Sequence, residues 1–342
     1  MYKNKREKDR SSDGGYRLKS KAIAYPIQGL IKYHGMRDFE SRIPFHDSIS
    51  VCTAPLKTVT EVEWTPDCND DEVRIDGKKV DEKAMNRCEK VIEKIREISD
   101  IDHGIRVESK NSFPSKLGFG SSSSGFAALT LAAAKGAKMD IDFGSPESRE
   151  FLSGIARLGS GSAARSLTGG ISKLKVEDSS DEAYSFQLAG PEDLEMSILC
   201  VPVKEKEYTE NSHREAVKSP LFDCRKEYIE NKVSEMEKAV KNKDIESIGV
   251  LAETDTLNLH AVTMTTPAKM VLWKEKTVRI INNVLEWRRE ENIPVYFSID
   301  TGASVYLNTT PEYESVVKDK IGEIGFDEIY ECEIGGRAEL VD

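Results

Sequence analysis

Hydrophobic positions along this chain repeat in two rhythms. Over residues 57–64 (KTVTEVEW) apolar and polar side chains alternate, the period of a strand with one buried face. Over residues 81–99 the apolar positions Met85, Cys88, Val91, Ile92, Ile95 and Ile98 step by three and four, which predicts a helix whose charged residues form a solvated face. Shorter strand patterns stand at residues 41–51, 105–109, 170–176 and 195–203, and residues 21–31 read as an irregular strand interrupted by Pro26 and Gly29. Asp76-Gly77 marks a turn between two strand-like pieces. Ser145-Pro146-Glu147 starts a helix that runs to about residue 158. After residue 204 the helical rhythm takes over, with long helices predicted over residues 219–243, 244–260 and within 267–290. Residues 294–307 return to strand, glycine-bearing turn and strand, and residues 329–337 give a last strand before Gly335-Gly336.

Mixed elements followed by a helix-rich half with a returning hairpin predict an α+β fold of two lobes with a cleft between them. Residues 21–190 make the first lobe and residues 191–342 the second. Residues 1–20, polar and basic around a Ser-Ser-Asp-Gly-Gly run, predict a disordered extension.

The most informative stretch is residues 111–135, NSFPSKLGFGSSSSGFAALTLAAAK. A Pro-containing loop narrows to Gly118-Phe119-Gly120, passes through Ser121, Ser122, Ser123 and Ser124, and opens into an alanine-rich helix. Glycines permit a tight turn and close approach to a ligand. A helix start offers unpaired N–H groups and partial positive charge, so this stretch is a phosphate-site candidate. The serine hydroxyls add donors or can face a metal ion.

Composition narrows the partners. The net charge of −11 argues against general nucleic-acid or anionic-membrane binding, so an anionic ligand needs a local positive site. No run of about 18 apolar residues and no secretory signal is present, which predicts a cytoplasmic protein. The six cysteines are scattered without a CxxC pair and read as free thiols. His34, His46 and His260 lack metal-ligand spacing.

Three further segments carry polar groups that are costly to bury without purpose. Lys32 to Asp38 (KYHGMRD) is a functional-group-rich loop. Gly159 to Arg165 (GSGSAAR) sets Arg165 among small residues, where its planar fork can grip a carboxylate or phosphate, or simply lie on the surface. Asp300, between an apolar strand and Gly302, can close an Asx-turn or aim a carboxylate into a cleft as a base or orienting group.

In order along the chain these pieces resemble the GHMP superfamily of small-molecule kinases and, within it, the mevalonate diphosphate decarboxylase branch. Lys32-Tyr33-His34-Gly35-Met36-Arg37-Asp38 stands where the branch has KYWGKRD, and Ile43-Pro44 with Ser48-Ile49-Ser50 where it has LP…SIS. Phe113 to Gly125 matches its phosphate loop, Gly159 to Gly170 its GSGSACRSLxGG, and Ser298 to Ser304 its TFDAGPN segment, so the resemblance spans roughly residues 22–337. It implies ATP-driven decarboxylation of a mevalonate phosphate in isoprenoid synthesis by a homodimer. Gly118, Gly120 and Ser121 to Ser124 would cradle ATP with Mg²⁺ facing Ser122. Asp300 would orient the 3-hydroxyl and take its proton, and Lys32 would offset charge beside it. Arg165 with Ser162 would hold the substrate carboxylate, with Tyr33 and Arg37 also on the substrate.

The departures carry information. Met36 replaces a second lysine that in the family lies toward the substrate's terminal phosphate, His34 replaces the tryptophan, and His46-Asp47 replaces Asn-Ser. Losing a cation and gaining an acid favours a monophosphate tail over a diphosphate, as in the haloarchaeal phosphomevalonate decarboxylases, whose motif this one resembles. The 5-diphosphate, an ATP-independent decarboxylase of a 3,5-bisphosphate, which the intact phosphate loop disfavours, a mevalonate 3-kinase and a non-catalytic ligand sensor are the competing readings. Retention of Lys32, Arg165 and Asp300 together argues against the last two.

Overall fold

The computed structural model describes residues 18–66, 70–115, 117–177, 182–204 and 209–342. Residues 1–17, most of the expected extension, lie outside it. The remainder of that expectation is corrected: Leu18, Lys19 and Ser20 begin a strand, Leu18–Ala24, zipped antiparallel to Thr58–Thr65 from Leu18↔Trp64 to Ala24↔Thr58. The irregular strand of residues 21–31 is two strands, Leu18–Ala24 and Ile27–Ile31, divided at Pro26, which has no N–H to give a ladder.

Two sheets organise the fold. The first runs Glu339–Val341, Leu18–Ala24, Thr58–Thr65, Gly104–Asn111, Glu72–Ile75, Lys78–Lys79. The second runs Ala183–Ala189, Ile171–Val176, Ser48–Ala54, Tyr330–Ile334, Ser197–Val201, Val305–Thr309, Val295–Ser298, with Ile27–Ile31 pairing on Ser48–Ala54. Strands from both halves of the sequence therefore share each sheet, and residue 190 divides the sequence more cleanly than it divides the hydrogen bonding.

The helix Glu82–Ser99 is capped by Asp81, whose side chain accepts from Ala84 N, and buries Cys88, Val91, Ile92 and Ile95. The helix Ser121–Gly136 is apolar all round and sits inside the first core, with Ala127, Ala128 and Ala132 to Ala134 fully buried. Its small side chains let the backbone approach the sheet. Trp64 Nε1 donates to Ala133 O at 3.0 Å, and a Cβ at Gly136 would stand 2.9 Å from Ser20 Oγ. The long helices Phe222–Lys241 and Ile245–Thr265 pack on the second sheet, and Glu275–Glu291 covers a third apolar cluster with the hairpin Val295–Ser298 and Val305–Thr309. Among the described residues no helix is long and apolar enough to cross a membrane. Five cysteines are free thiols; Cys68 lies outside the described residues.

Candidate active site

A cavity of about 400 Å³ draws its walls from both halves of the chain. One wall is the glycine-serine turn. Gly118 and Gly120 adopt left-handed φ of 78° and 69°, and a Cβ on Gly120 would come 3.0 Å from Ile27 O. The helix Ser121–Gly136 then starts with no side chain capping it, and Gly118, Gly120, Ser121 and Ser122 line the cavity at that start. Ser123 and Ser124, expected in the cradle, are turned away into the protein. Ser123 Oγ donates to Gly120 O at 2.6 Å and accepts from Ile27 N at 3.2 Å, while Ser124 Oγ bonds Thr58 Oγ1 at 2.6 Å. These two hydroxyls fasten the turn to its neighbours.

Facing them are the other expected groups. Asp300 follows the strand Val295–Ser298, and its Oδ1 accepts from Gly29 N at 3.1 Å. A Cβ on Gly29 would lie 2.6 Å from Lys32 Cγ and 2.9 Å from Asp300 Oδ1, so glycine is what allows these side chains to meet there. Lys32 Nζ donates to Ser298 Oγ at 2.9 Å and Thr256 Oγ1 at 3.0 Å, and its nearest carboxylate is Asp255, at 3.7 Å. Asp255 also accepts from Lys32 N at 2.9 Å and from Arg225 Nη2 at 2.9 Å. Arg225 in turn donates to Lys32 O at 2.6 Å, which locks the lysine's backbone and side chain together. His260 Nε2 donates to the Asp300 carbonyl at 3.0 Å. Burial pushes the Asp300 carboxyl above the usual carboxylate range against the pull of Lys32, and burial pushes Lys32 down against Asp255 and Asp300.

Arg165 is buried, with Nε donating to Ser50 Oγ at 2.8 Å, Nη1 to Ser48 Oγ, and its guanidinium 5.5 Å from the Tyr33 ring centre. The surface-arginine alternative is thereby removed. Ser162 lines the cavity, and a chain of hydroxyls, Ser122 to Ser160 at 3.4 Å and Ser160 to Ser162 at 3.0 Å, joins the glycine-serine turn to the arginine side. Tyr33 lines the cavity and stacks on His213 with centroids 5.0 Å apart. Arg37, expected on the substrate, is exposed, donates to Glu177 O at 3.3 Å and is not among the residues that line the cavity. His34 is buried against Thr263, outside the lining.

Sequence reasoning missed Arg42, Lys83, Arg87, Glu210 and His213, all in the cavity wall, and Asp255 and Arg225 behind it. Among the described residues no group of three or more His, Cys, Asp or Glu is arranged to hold a metal. A Mg²⁺ ion would thus take most of its ligands from nucleotide phosphates and water, with Ser122 the nearest hydroxyl candidate. That donor set fits this cation, which keeps several waters at phosphate sites.

Comparison with known proteins agrees with this geometry. Residues 24–185 match the diphosphomevalonate decarboxylase-like N-terminal domain, and residues 197–323 the mevalonate 5-diphosphate decarboxylase C-terminal domain. The phosphomevalonate decarboxylase of Haloferax volcanii is 44% identical over 95% of this chain and 98% of its own length. The diphosphomevalonate decarboxylase of Saccharomyces cerevisiae is 29% identical over 86% of this chain and 78% of its own. The crystal structure of mevalonate diphosphate decarboxylase from Staphylococcus aureus superposes with a TM-score of 0.87 at 26% identity, covering 96% of this chain and 99% of that one. Two domain matches in order and a relative aligned end to end assign the chain: it belongs to the mevalonate diphosphate decarboxylase family, carboxy-lyases on the two-domain GHMP fold.

Proposed function

We propose that the chain carries out the ATP-dependent decarboxylation of mevalonate 5-phosphate to isopentenyl phosphate, a step of isoprenoid synthesis. The observation that carries this reading is the convergence of Asp300, Lys32 and Arg165 on one cavity with an uncapped helix start. The relative of highest identity quoted above acts on the monophosphate, as its name states, and the diphosphate enzyme quoted beside it is more distant.

Each residue has work that its surroundings suit. Gly120 and the N–H groups of Ser121 and Ser122 hold the nucleotide phosphates, where the helix start favours negative charge. Mg²⁺, when bound, neutralises charge on those phosphates. Asp300, pinned by Gly29 N, accepts the proton of the substrate's 3-hydroxyl as that oxygen takes the γ-phosphoryl group. Lys32 steadies the negative charge gathering on the transferred group. Arg165, its fork aimed by Ser48 and Ser50, holds the substrate carboxylate. The C3–O bond then breaks with both electrons leaving on phosphate, and positive charge develops at C3. The electron pair of the carboxylate's C–C bond moves in to make the alkene as CO2 departs. A carboxylate held rigidly beside the forming cation lets this happen without rearrangement.

The reading also carries a cytoplasmic location and a homodimer, the latter checked by sedimentation of the purified chain. The direct test supplies mevalonate 5-phosphate or its 5-diphosphate, with and without ATP, and measures CO2 and ADP. CO2 and ADP in equal amounts from the monophosphate are expected. ADP without CO2 would make the protein a kinase, and no turnover with either substrate would make it a binding protein.

A further inference from the structure

The wall of the cavity beyond Tyr33 is made of charges that the reaction just described does not use. Arg42, Lys83, Arg87 and Glu210 line it, with the neutral Met36 among them. Glu210 is held below the usual carboxylate range, first by its hydrogen bond from Lys83 at 2.7 Å, so it is ionised. Arg214 also reaches Glu210, at 3.3 Å, but is not part of the lining. His213, pushed down to about 4 by burial, adds no charge at neutral pH. At this end of the cavity three lining cations against one lining carboxylate leave two positive charges.

The arginines have bonding capacity to spare. Arg87 uses Nε on Gly159 O at 2.8 Å and lays its guanidinium 4.8 Å from the Phe126 ring centre; its four remaining N–H groups have no partner among the described residues. Arg42 makes no hydrogen bond or ion pair among the described residues, and its Nε is buried and unpartnered. Its backbone is held at φ 54°, a conformation that arginine adopts at a cost. A buried donor with nothing to bind is expensive unless a ligand arrives.

We propose that Arg42 and Arg87 form the socket for the substrate's terminal phosphate monoester, and that Glu210 discriminates against a longer polyphosphate tail. The proposal rests on the function proposed above and deepens it. A phosphate monoester carries about −1.5 to −2 at neutral pH, which two unopposed cations balance. A diphosphate brings a further anionic group, and the wall answers it with a carboxylate at Glu210 and an uncharged side chain at Met36. Selectivity then comes from a repulsive element as well as an attractive one. It also supplies what the loss of a lysine at Met36 left open, which is where the tail's counter-charge comes from.

The test measures kcat and KM of the purified full chain for mevalonate 5-phosphate and 5-diphosphate. Arg42→Gln and Arg87→Gln are each expected to raise KM for the monophosphate about ten- to a hundred-fold, more than they lower kcat, as loss of a charge-assisted bond requires. Arg42→Lys and Arg87→Lys, which keep the charge, recover part of that loss, which a merely structural role would not show. Glu210→Gln is expected to move the ratio of kcat/KM toward the diphosphate by about ten-fold. Glutamine variants that keep the parent KM and an unchanged melting temperature would overturn the socket; an unmoved ratio in Glu210→Gln would overturn the discrimination. If the parent chain releases no CO2 from either substrate, the proposed function falls alone. Calorimetric titration with mevalonate 5-phosphate then decides the socket by the same variants, with tighter binding to the parent supporting it and equal binding refuting it.

Discussion

The cavity has two charged ends built on opposite plans. Around Lys32 the principal charges are buried and bonded to one another: Asp255 ties Lys32 to Arg225, and both Arg225 and Asp255 are wholly buried. Around Arg42, Lys83 and Arg87 there are spare donors, and Lys83 is largely exposed. The first end is finished before a ligand arrives, as preorganised catalysis in a dry site needs. The second is completed by what it binds. Chemistry is thus placed where the fold is most over-determined, and choice of tail where it is least so.

That contrast can be broken in five places. The largest effect belongs to Asp300→Ala, expected to lower kcat by about 10²- to 10⁴-fold with KM nearly kept, because a proton acceptor is lost and little binding area goes with it. Near-normal turnover would remove Asp300 from the chemistry. Next is Asp255→Ala, which leaves Lys32 and Arg225 buried without their counter-ion. A loss of about 3–5 kcal/mol is expected in urea unfolding. Lys83→Ala, at the other end, is expected to cost no more than about 1 kcal/mol, since an exposed pair contributes little. Equal losses would erase the distinction between the ends.

Gly29→Ala pushes a methyl group between Lys32 and Asp300 and should lower kcat about 10²-fold, as a displacement of about 1 Å does in such sites. A full-rate variant would show that the reacting groups tolerate displacement. The smallest effect is on pH. Asp300 must be ionised to accept a proton, and its carboxyl is raised by burial, so kcat/KM falls as pH drops through a value above the ordinary aspartate range. Lys32 opposes that rise, so Lys32→Met should carry the acid limb of whatever activity remains to higher pH. A limb that moved down would reverse the assigned coupling.

The two ends also differed in how far they could be read from sequence. Motif order placed Lys32, Arg165 and Asp300 on one cavity, and the structure brings them there. The helix of residues 81–99 was predicted nearly to the residue, Glu82–Ser99, yet Lys83 and Arg87 were assigned to its solvated face. Periodicity separates apolar from polar faces but does not say whether the polar face meets water or a ligand. Arg42, a lone arginine in a loop, gave no signal.

Asp255 and Arg225 were more legible than they were read. Ile248, Ala252, Leu259 and Val262 form a stripe with Asp255 inside it, and Phe222, Ile229, Val233 and Met236 do the same around Arg225. An acid and a base occupying core positions of two adjacent helices announce a buried pair. Ser123 and Ser124 failed in the opposite sense. Four serines in a row look equivalent, but a helix start turns them to different sides, and only the first two line the cavity. The strand Ala183–Ala189 and the helices Thr209–Ala216 and Glu314–Glu323 went unread, being short elements whose order comes from their neighbours.

The pairing of Leu18–Ala24 with Glu339–Val341, and of Ser48–Ala54 with Tyr330–Ile334, has a consequence for how the molecule is made. During synthesis the early strands leave the ribosome long before the partners that complete their ladders. Until residues 330–341 emerge, Leu18–Ala24 and Ser48–Ala54 each lack a partner strand, and other nascent chains can pair there. The yield of active protein in a cell should therefore respond to chaperone supply and to translation speed over the codons for residues 330–341.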